Sequence, residues 1–138
     1  MNRKLAIDYG LKKIGLALSD PLKIIAKPFK TIDNISYEIF LDRLNSIIEE
    51  YSIDEVVVGL PITLKNTFSA QTNIVKEFVE NLKNDLSIKV TTVDERLSSI
   101  EAKKSLIYQG VKTGHNKKEI DKTAAAIFLQ SYLNQIEK

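Results

Sequence analysis

Between Lys4 and Ile32 three apolar segments, Lys4 to Tyr9, Ile14 to Ser19 and Ile24 to Ile32, follow one another too closely for helices. Gly10-Leu-Lys-Lys separates the first two and Asp20-Pro21 begins the next connection, so the three read as strands of an antiparallel meander. Pro28 falls inside the third segment, where it denies the ladder a donor, and this places the third strand at the sheet edge.

From Ser36 the pattern changes. Phe40, Leu44, Ile47, Ile48 and Tyr51 recur at helical spacing, with Ser36 as N-cap. Glu55-Val-Val-Val-Gly-Leu-Pro is short, β-branched and ended by Gly59 and Pro61, as expected of a strand buried on both faces. A second helix is expected from Ser69 to Leu86 on the stripe Val75, Phe78, Val79, Leu82 and Leu86, then a strand from Ile88 to Val93. Leu97 to Tyr108 reads as a third helix ended by Gly110, and about Lys117 to Gln135 as a last one.

The order βββαβαβαα predicts an α/β fold. Helix-linked strands make right-handed parallel crossovers, so the fourth and fifth strands extend the sheet outward from the first. The expected sheet is mixed and five-stranded, in order 3-2-1-4-5, with helices on both faces. At 138 residues and 43% hydrophobic content the chain has the size and core material of one domain, residues 1–138.

Cysteine is absent, which excludes disulfides and thiolate metal sites and fits a reducing, cytoplasmic setting. The stretch after Met-Asn-Arg-Lys is broken at once by Asp8, Lys12 and Lys13, so it is not a signal peptide. The longest run without polar side chains, Val56 to Ile62, is far below the roughly 18 residues of a membrane span, and no membrane partner is expected. Net charge is only +2, but it is unevenly placed. Residues 1–30 hold seven Lys or Arg against two Asp, residues 33–54 one Arg against six acids, and residues 103–122 six Lys against two acids. Such blocks fit either an ordinary solvated surface or phosphate binding.

Asp8 stands inside an apolar strand, where an uncompensated carboxylate costs several kcal/mol (order of magnitude) to bury. Alternation puts Leu5, Ile7 and Tyr9 on one face and Lys4, Ala6 and Asp8 on the other, with Asp8 near the strand end. Asp94-Glu95-Arg96 follows Val90-Thr-Thr-Val where a parallel strand meets its loop, the end at which open α/β sheets bind ligands. Neighbouring residues there point to opposite faces, and Glu95 is the one expected to join Asp8. Asp121, just before Ala124-Ala125-Ala126, is the third candidate, because small side chains let the last helix approach the sheet.

Each acid also has a plain structural reading. Asp8 can end a strand, Asp94 can cap a helix and Asp121 can favour a helix N-terminus. Three carboxylates with one histidine suit Mg²⁺ or Mn²⁺ rather than Zn²⁺. Two such ions about 4 Å apart promote phosphodiester cleavage, with Asp8 as the shared ligand. Other chemistries fit poorly. Gly10-x-x-x-x-Gly15 lacks the Gly-Lys-Ser/Thr ending of a phosphate loop and joins two strands, and Ser98, Ser99 and Ser131 have only His115 for a triad.

The segments Ala6-Ile-Asp-Tyr-Gly10, Lys13-Ile-Gly-Leu-Ala-Leu-Ser-Asp20, Val58-Gly-Leu-Pro61, Asp94-Glu-Arg-Leu97 and Asp121-Lys-Thr-Ala-Ala125, in this order, resemble the YqgF/RuvX family across nearly the whole chain. That family is similar in fold to ribonuclease H and the RuvC Holliday junction resolvases, and is described as a nuclease maturing pre-16S rRNA. The resemblance implies a ribonuclease H-like fold and a metal-dependent phosphodiesterase. By motif, Asp8 resembles the first-strand carboxylate, Glu95 that of the Asp-Glu-Arg motif and Asp121 that of the last helix. The sequence departs from the family at three places. Lys13 stands where Arg is usual, Leu64-Lys-Asn66 replaces an Asp-Gly turn, and Ser98-Ser99 replaces a Thr pair.

The expectation is a nuclease with Asp8, Glu95 and Asp121 holding Mg²⁺ or Mn²⁺, and Lys12, Lys13, Arg96, Lys117 and Lys118 meeting phosphates. RNA is the preferred partner, with ribosomal particles beside it, and the chain is expected to be a monomer or weak homodimer. Branched DNA, which needs paired active sites, and a non-catalytic nucleic-acid-binding module are the alternatives.

Overall fold

The computed structural model describes residues 2–61, 70–95 and 117–136, the side chains of 117–123 excepted. Its elements are β1 (Arg3–Tyr9), β2 (Lys13–Ser19), β3 (Ala26–Asp33), α1 (Tyr37–Tyr51), β4 (Ile53–Leu60), α2 (Ala70–Asp85), β5 (Lys89–Asp94) and α3 (Lys117–Ile136). The strands form one sheet in the order β3-β2-β1-β4-β5, as the alternation of patterns predicts. β1, β2 and β3 pair antiparallel, while β4 lies parallel to β1 and β5 parallel to β4. The expected helix over 97–108 lies outside the described residues.

Period-two alternation sorts the side chains into two layers. On one face Leu5, Ile7, Leu16, Val56 and Val58 meet Phe40, Leu44 and Ile47 of α1 and Val75, Phe78 and Leu82 of α2. On the other, Ala6, Ala17, Ala26 and Val57 meet Ala125, Ala126, Phe128, Leu129 and Leu133 of α3. The alanines on both sides of this second interface let α3 lie close to the sheet, which the three-alanine run foreshadowed.

Pro28 does sit on the edge strand. It pairs with Ala17, and the ladder shifts register between Leu16 and Ala17, the irregularity expected where a donor is missing. The start of β3 is held by a side chain instead. Buried Gln130 of α3 accepts from the Ala26 N–H at 2.9 Å and donates to the Ile24 carbonyl at 2.8 Å. Ser36 caps α1, its Oγ accepting from the Ile39 N–H at 3.2 Å. The helix ends at Ser52, whose φ of 53° is left-handed and whose N–H bonds to the Ile48 carbonyl.

Candidate active site

Asp8 lies one residue before the end of β1, on the α3 side of the sheet, because it continues the parity of Ala6. Its direct partner on β2 is Gly15. On β4, Ile7 pairs with Val58, so Gly59 is the next residue alongside. Both neighbours of the half-buried carboxylate are therefore glycines, and the floor around it carries no Cβ.

Glu95 enters this floor from β5. A Cβ built on Gly59 would lie 2.8 Å from both Cγ and Oε1 of Glu95, and 2.6 Å from Cε2 of Phe128. The Glu95 side chain thus folds over Gly59 on the face that α3 covers, which is the face of Asp8. Asp94 takes the other parity. It pairs with Leu60, the residue after Gly59, and Leu60 packs with the opposite core. Of the two adjacent acids, Glu95 shares the Asp8 face and Asp94 does not.

The direction of α3 follows from two contacts. Phe128 meets Gly59 near the C-terminal end of β4, and the Tyr132 hydroxyl donates to Glu55 Oε2 at 2.8 Å near its start. The helix runs antiparallel to β4, and its residues before Phe128 extend toward the strand ends that carry Asp8 and Glu95. Position 121 is helical, four residues before buried Ala125 and seven, about two turns, before Phe128. Its side chain is outside the described part, as are those of Lys117 and Lys118 and the whole of Arg96. Among the described residues no three metal-ligating side chains come together.

The hairpin after Asp8 holds the remaining candidates. Lys12 is exposed, whereas Lys13 bonds to Asp33 across the β2–β3 ladder. Similar pairings absorb much of the charge-block pattern. Lys23 meets Asp54 at 2.9 Å, so part of the basic N-terminal block neutralises the acidic one that follows, and Lys4 meets Glu55, just beyond that block, at 2.6 Å.

Glu55 is the charged centre that sequence reading passed over. Almost fully buried, it also accepts from Thr91 and Tyr132. Burial pushes its pKa up, but the bonds from Lys4, Thr91 and Tyr132 outweigh this and hold it below the ordinary glutamate range. Burial and the Glu55 bond push Tyr132 up to about 12. The signal was present: a carboxylate adjoining an apolar run, as at Asp8. Its location differs, because Glu55 lies at the start of β4, away from the glycine floor. Asp20, in one of the family-like segments, also lies at that far end and accepts from the Ile24 and Ile25 N–H groups at 2.8 and 2.9 Å. Burial raises its pKa, and the backbone bonds from Ile25 and Ile24 bring it below the usual value.

A family model described as "RuvX: Holliday junction resolvase" matches residues 2–135. A protein of a Sulfurihydrogenibium species named "Putative pre-16S rRNA nuclease" is 41% identical over 138 residues, covering 99% of this chain and 92% of its own. One of the same name from Desulforamulus reducens is 42% identical, covering 96% of each. Among solved structures, the Thermus thermophilus RuvC bound to a Holliday junction substrate superposes with a TM-score of 0.65 at 12% identity, covering 98% of this chain and 96% of that one. The yeast mitochondrial Holliday junction resolvase gives 0.62 at 10% identity, covering 96% and 78%. At such identities the likeness concerns the fold, which is ribonuclease H-like.

Proposed function

The chain belongs to the RuvX family, and from that membership we propose that it is a metal-dependent nuclease that hydrolyses phosphodiester bonds in the 5′-end processing of pre-16S rRNA, in the cytoplasm. The observation that carries this reading is the convergence of Asp8 and Glu95 on one face, at the C-terminal ends of β1 and β5, with Gly15 and Gly59 flanking Asp8 and the Glu95 side chain lying over Gly59. Residues 1–138 act as a single ribonuclease H-like domain in this reading.

The donor set suits a hard divalent cation. It is all oxygen, the chain has no cysteine, and Gly59 makes room for the Glu95 side chain on the face of Asp8. Asp8, Glu95 and Asp121 would hold Mg²⁺ or Mn²⁺, with Asp8 central and Asp121 delivered by α3. When bound, the cation acidifies water and neutralises charge on the leaving oxygen. Lys12, Lys13, Arg96, Lys117 and Lys118 hold the flanking phosphates, and ribosomal particles carry the substrate. The protein works as a monomer or weak homodimer.

The test is cleavage of a purified 16S rRNA precursor with Mn²⁺, comparing wild type with Asp8→Asn. The wild type trims the precursor and the variant leaves it intact; undiminished trimming by Asp8→Asn would remove the site assignment. The family description favours a second reading, resolution of branched DNA. Two symmetric incisions require two paired sites, so sedimentation of a strict monomer that cuts RNA and not junctions excludes it.

A further inference from the structure

The hairpin after Asp8 turns through Gly10, Leu11 and Lys12 before β2 begins. It closes so tightly that a Cβ on Gly10 would run into the Lys13 carbonyl oxygen. Its outer side is tied down from elsewhere in the chain. Asn34, the residue after β3, donates its backbone N–H to the Lys12 carbonyl at 2.9 Å and its side-chain Nδ2 to the Gly10 carbonyl at 2.8 Å. The two bonds straddle Leu11, which is 63% exposed, and the next residue after the clamp, Ile35, is 68% exposed.

One residue, through its backbone N–H and its side-chain amide, therefore anchors a turn with a lysine at its tip and aliphatic groups beside it. The turn stands at the end of the sheet where Asp8 and Glu95 converge. A cation next to apolar surface, continuous with a carboxylate site, complements a single-stranded nucleotide chain, whose phosphates are anionic and whose unstacked bases present apolar faces.

We propose that Asn34 is a positioning residue for single-stranded RNA: it fixes the Gly10–Lys13 turn so that the Lys12 ammonium meets a backbone phosphate next to the one cut. This rests on the nuclease reading. Without the Nδ2 bond only the backbone bond to the Lys12 carbonyl ties the turn, its Gly10 side loosens, and binding must then order it at an entropic cost. Asn34 touches no reacting group and acts only through Lys12.

The experiment is a double-mutant cycle on the full chain, read by fluorescence anisotropy of a short unstructured RNA in EDTA over a series of KCl concentrations. Lys12→Ala lowers the slope of log affinity against log salt by about 0.7, the loss of one single-strand phosphate contact. Asn34→Ala weakens binding when Lys12 is present and adds nothing when Lys12 is already alanine. Thermal unfolding of each variant checks that the fold is kept. Wild-type affinity in Asn34→Ala, or equal losses in both backgrounds, would overturn the proposal. If the wild type cleaves precursor rRNA while Asn34→Ala binds normally, only this inference falls; if the wild type neither binds nor cleaves RNA, the nuclease reading falls with it.

Discussion

The Glu95 side chain occupies the volume that a side chain at Gly59 would need, with Cγ and Oε1 both 2.8 Å from the Cβ position. Substituting Gly59→Ala therefore sets a methyl group against Glu95 and against Phe128 at 2.6 Å. Overpacking of this kind costs about 1–3 kcal/mol. The larger effect is expected on chemistry, on the order of a hundredfold in kcat, because a proposed ligand is displaced by a fraction of its length. Kinetics measured well below the melting temperature separate the two.

Replacing the carboxylates should leave the fold and remove the reaction. Asp8→Asn, Glu95→Gln and Asp121→Asn are each expected to lower cleavage by about a hundredfold or more. In the wild type, Mn²⁺ at about 100 times its Kd adds about 2.7 kcal/mol of stability, seen as a raised melting temperature that EDTA abolishes. The three variants should show little of that gain. A full Mn²⁺ shift in all three would remove them as ligands.

The buried Lys4–Glu55 pair makes a pH prediction independent of catalysis. The folded pKa of Glu55 lies below its unfolded value, so its contribution is complete above about pH 4.3 and is lost as pH falls through the folded value. Lys4→Met alone strands a buried carboxylate, at about 3–5 kcal/mol, while Lys4→Met with Glu55→Gln should recover much of this and flatten the acid limb. Urea unfolding from about pH 5 to pH 3 reads both effects. Tyr132 has the opposite sign. Its raised folded value means stability is lost as pH climbs from about 10 towards about 12, and Tyr132→Phe removes that alkaline loss.

Ser36→Ala serves as a contrast. It removes the N-cap of α1 at a cost of about 1 kcal/mol. Cleavage at temperatures where the variant stays folded should match the wild type, since α1 packs on the face of the sheet away from Asp8.

The strand order was readable because each pattern had one satisfactory solution. The Val56 to Val58 run had to be covered on both sides, and Pro28 had to be at an edge. Alternation also showed that only one of Asp94 and Glu95 can share the face of Asp8, and the register of β4 with β5 decides which. Asn34 escaped notice because its importance comes from two carbonyls in a hairpin far away in sequence, and an asparagine in a turn is ordinary. Glu55 was missed for a different reason. A carboxylate beside valines looks the same whether it is paired with Lys4 and bonded by Tyr132 or flanked by glycines at a strand end. Gly15 and Gly59 supplied the distinction, and their meaning depends on register, which composition does not carry. The charge blocks misled in part, because ions distant in sequence, such as Lys23 and Asp54, pair in space.

The antiparallel lie of α3 on β4 has a consequence for when the protein can act. Asp8 leaves the ribosome with the first strand, Glu95 much later, and position 121 only with the final helix, which must then dock through Phe128, Leu129 and Leu133. Until that helix has emerged, a partly synthesised chain lacks at least one of the three proposed acids. If the proposed site needs all three acids, cleavage is expected only after the last segment has emerged and folded back.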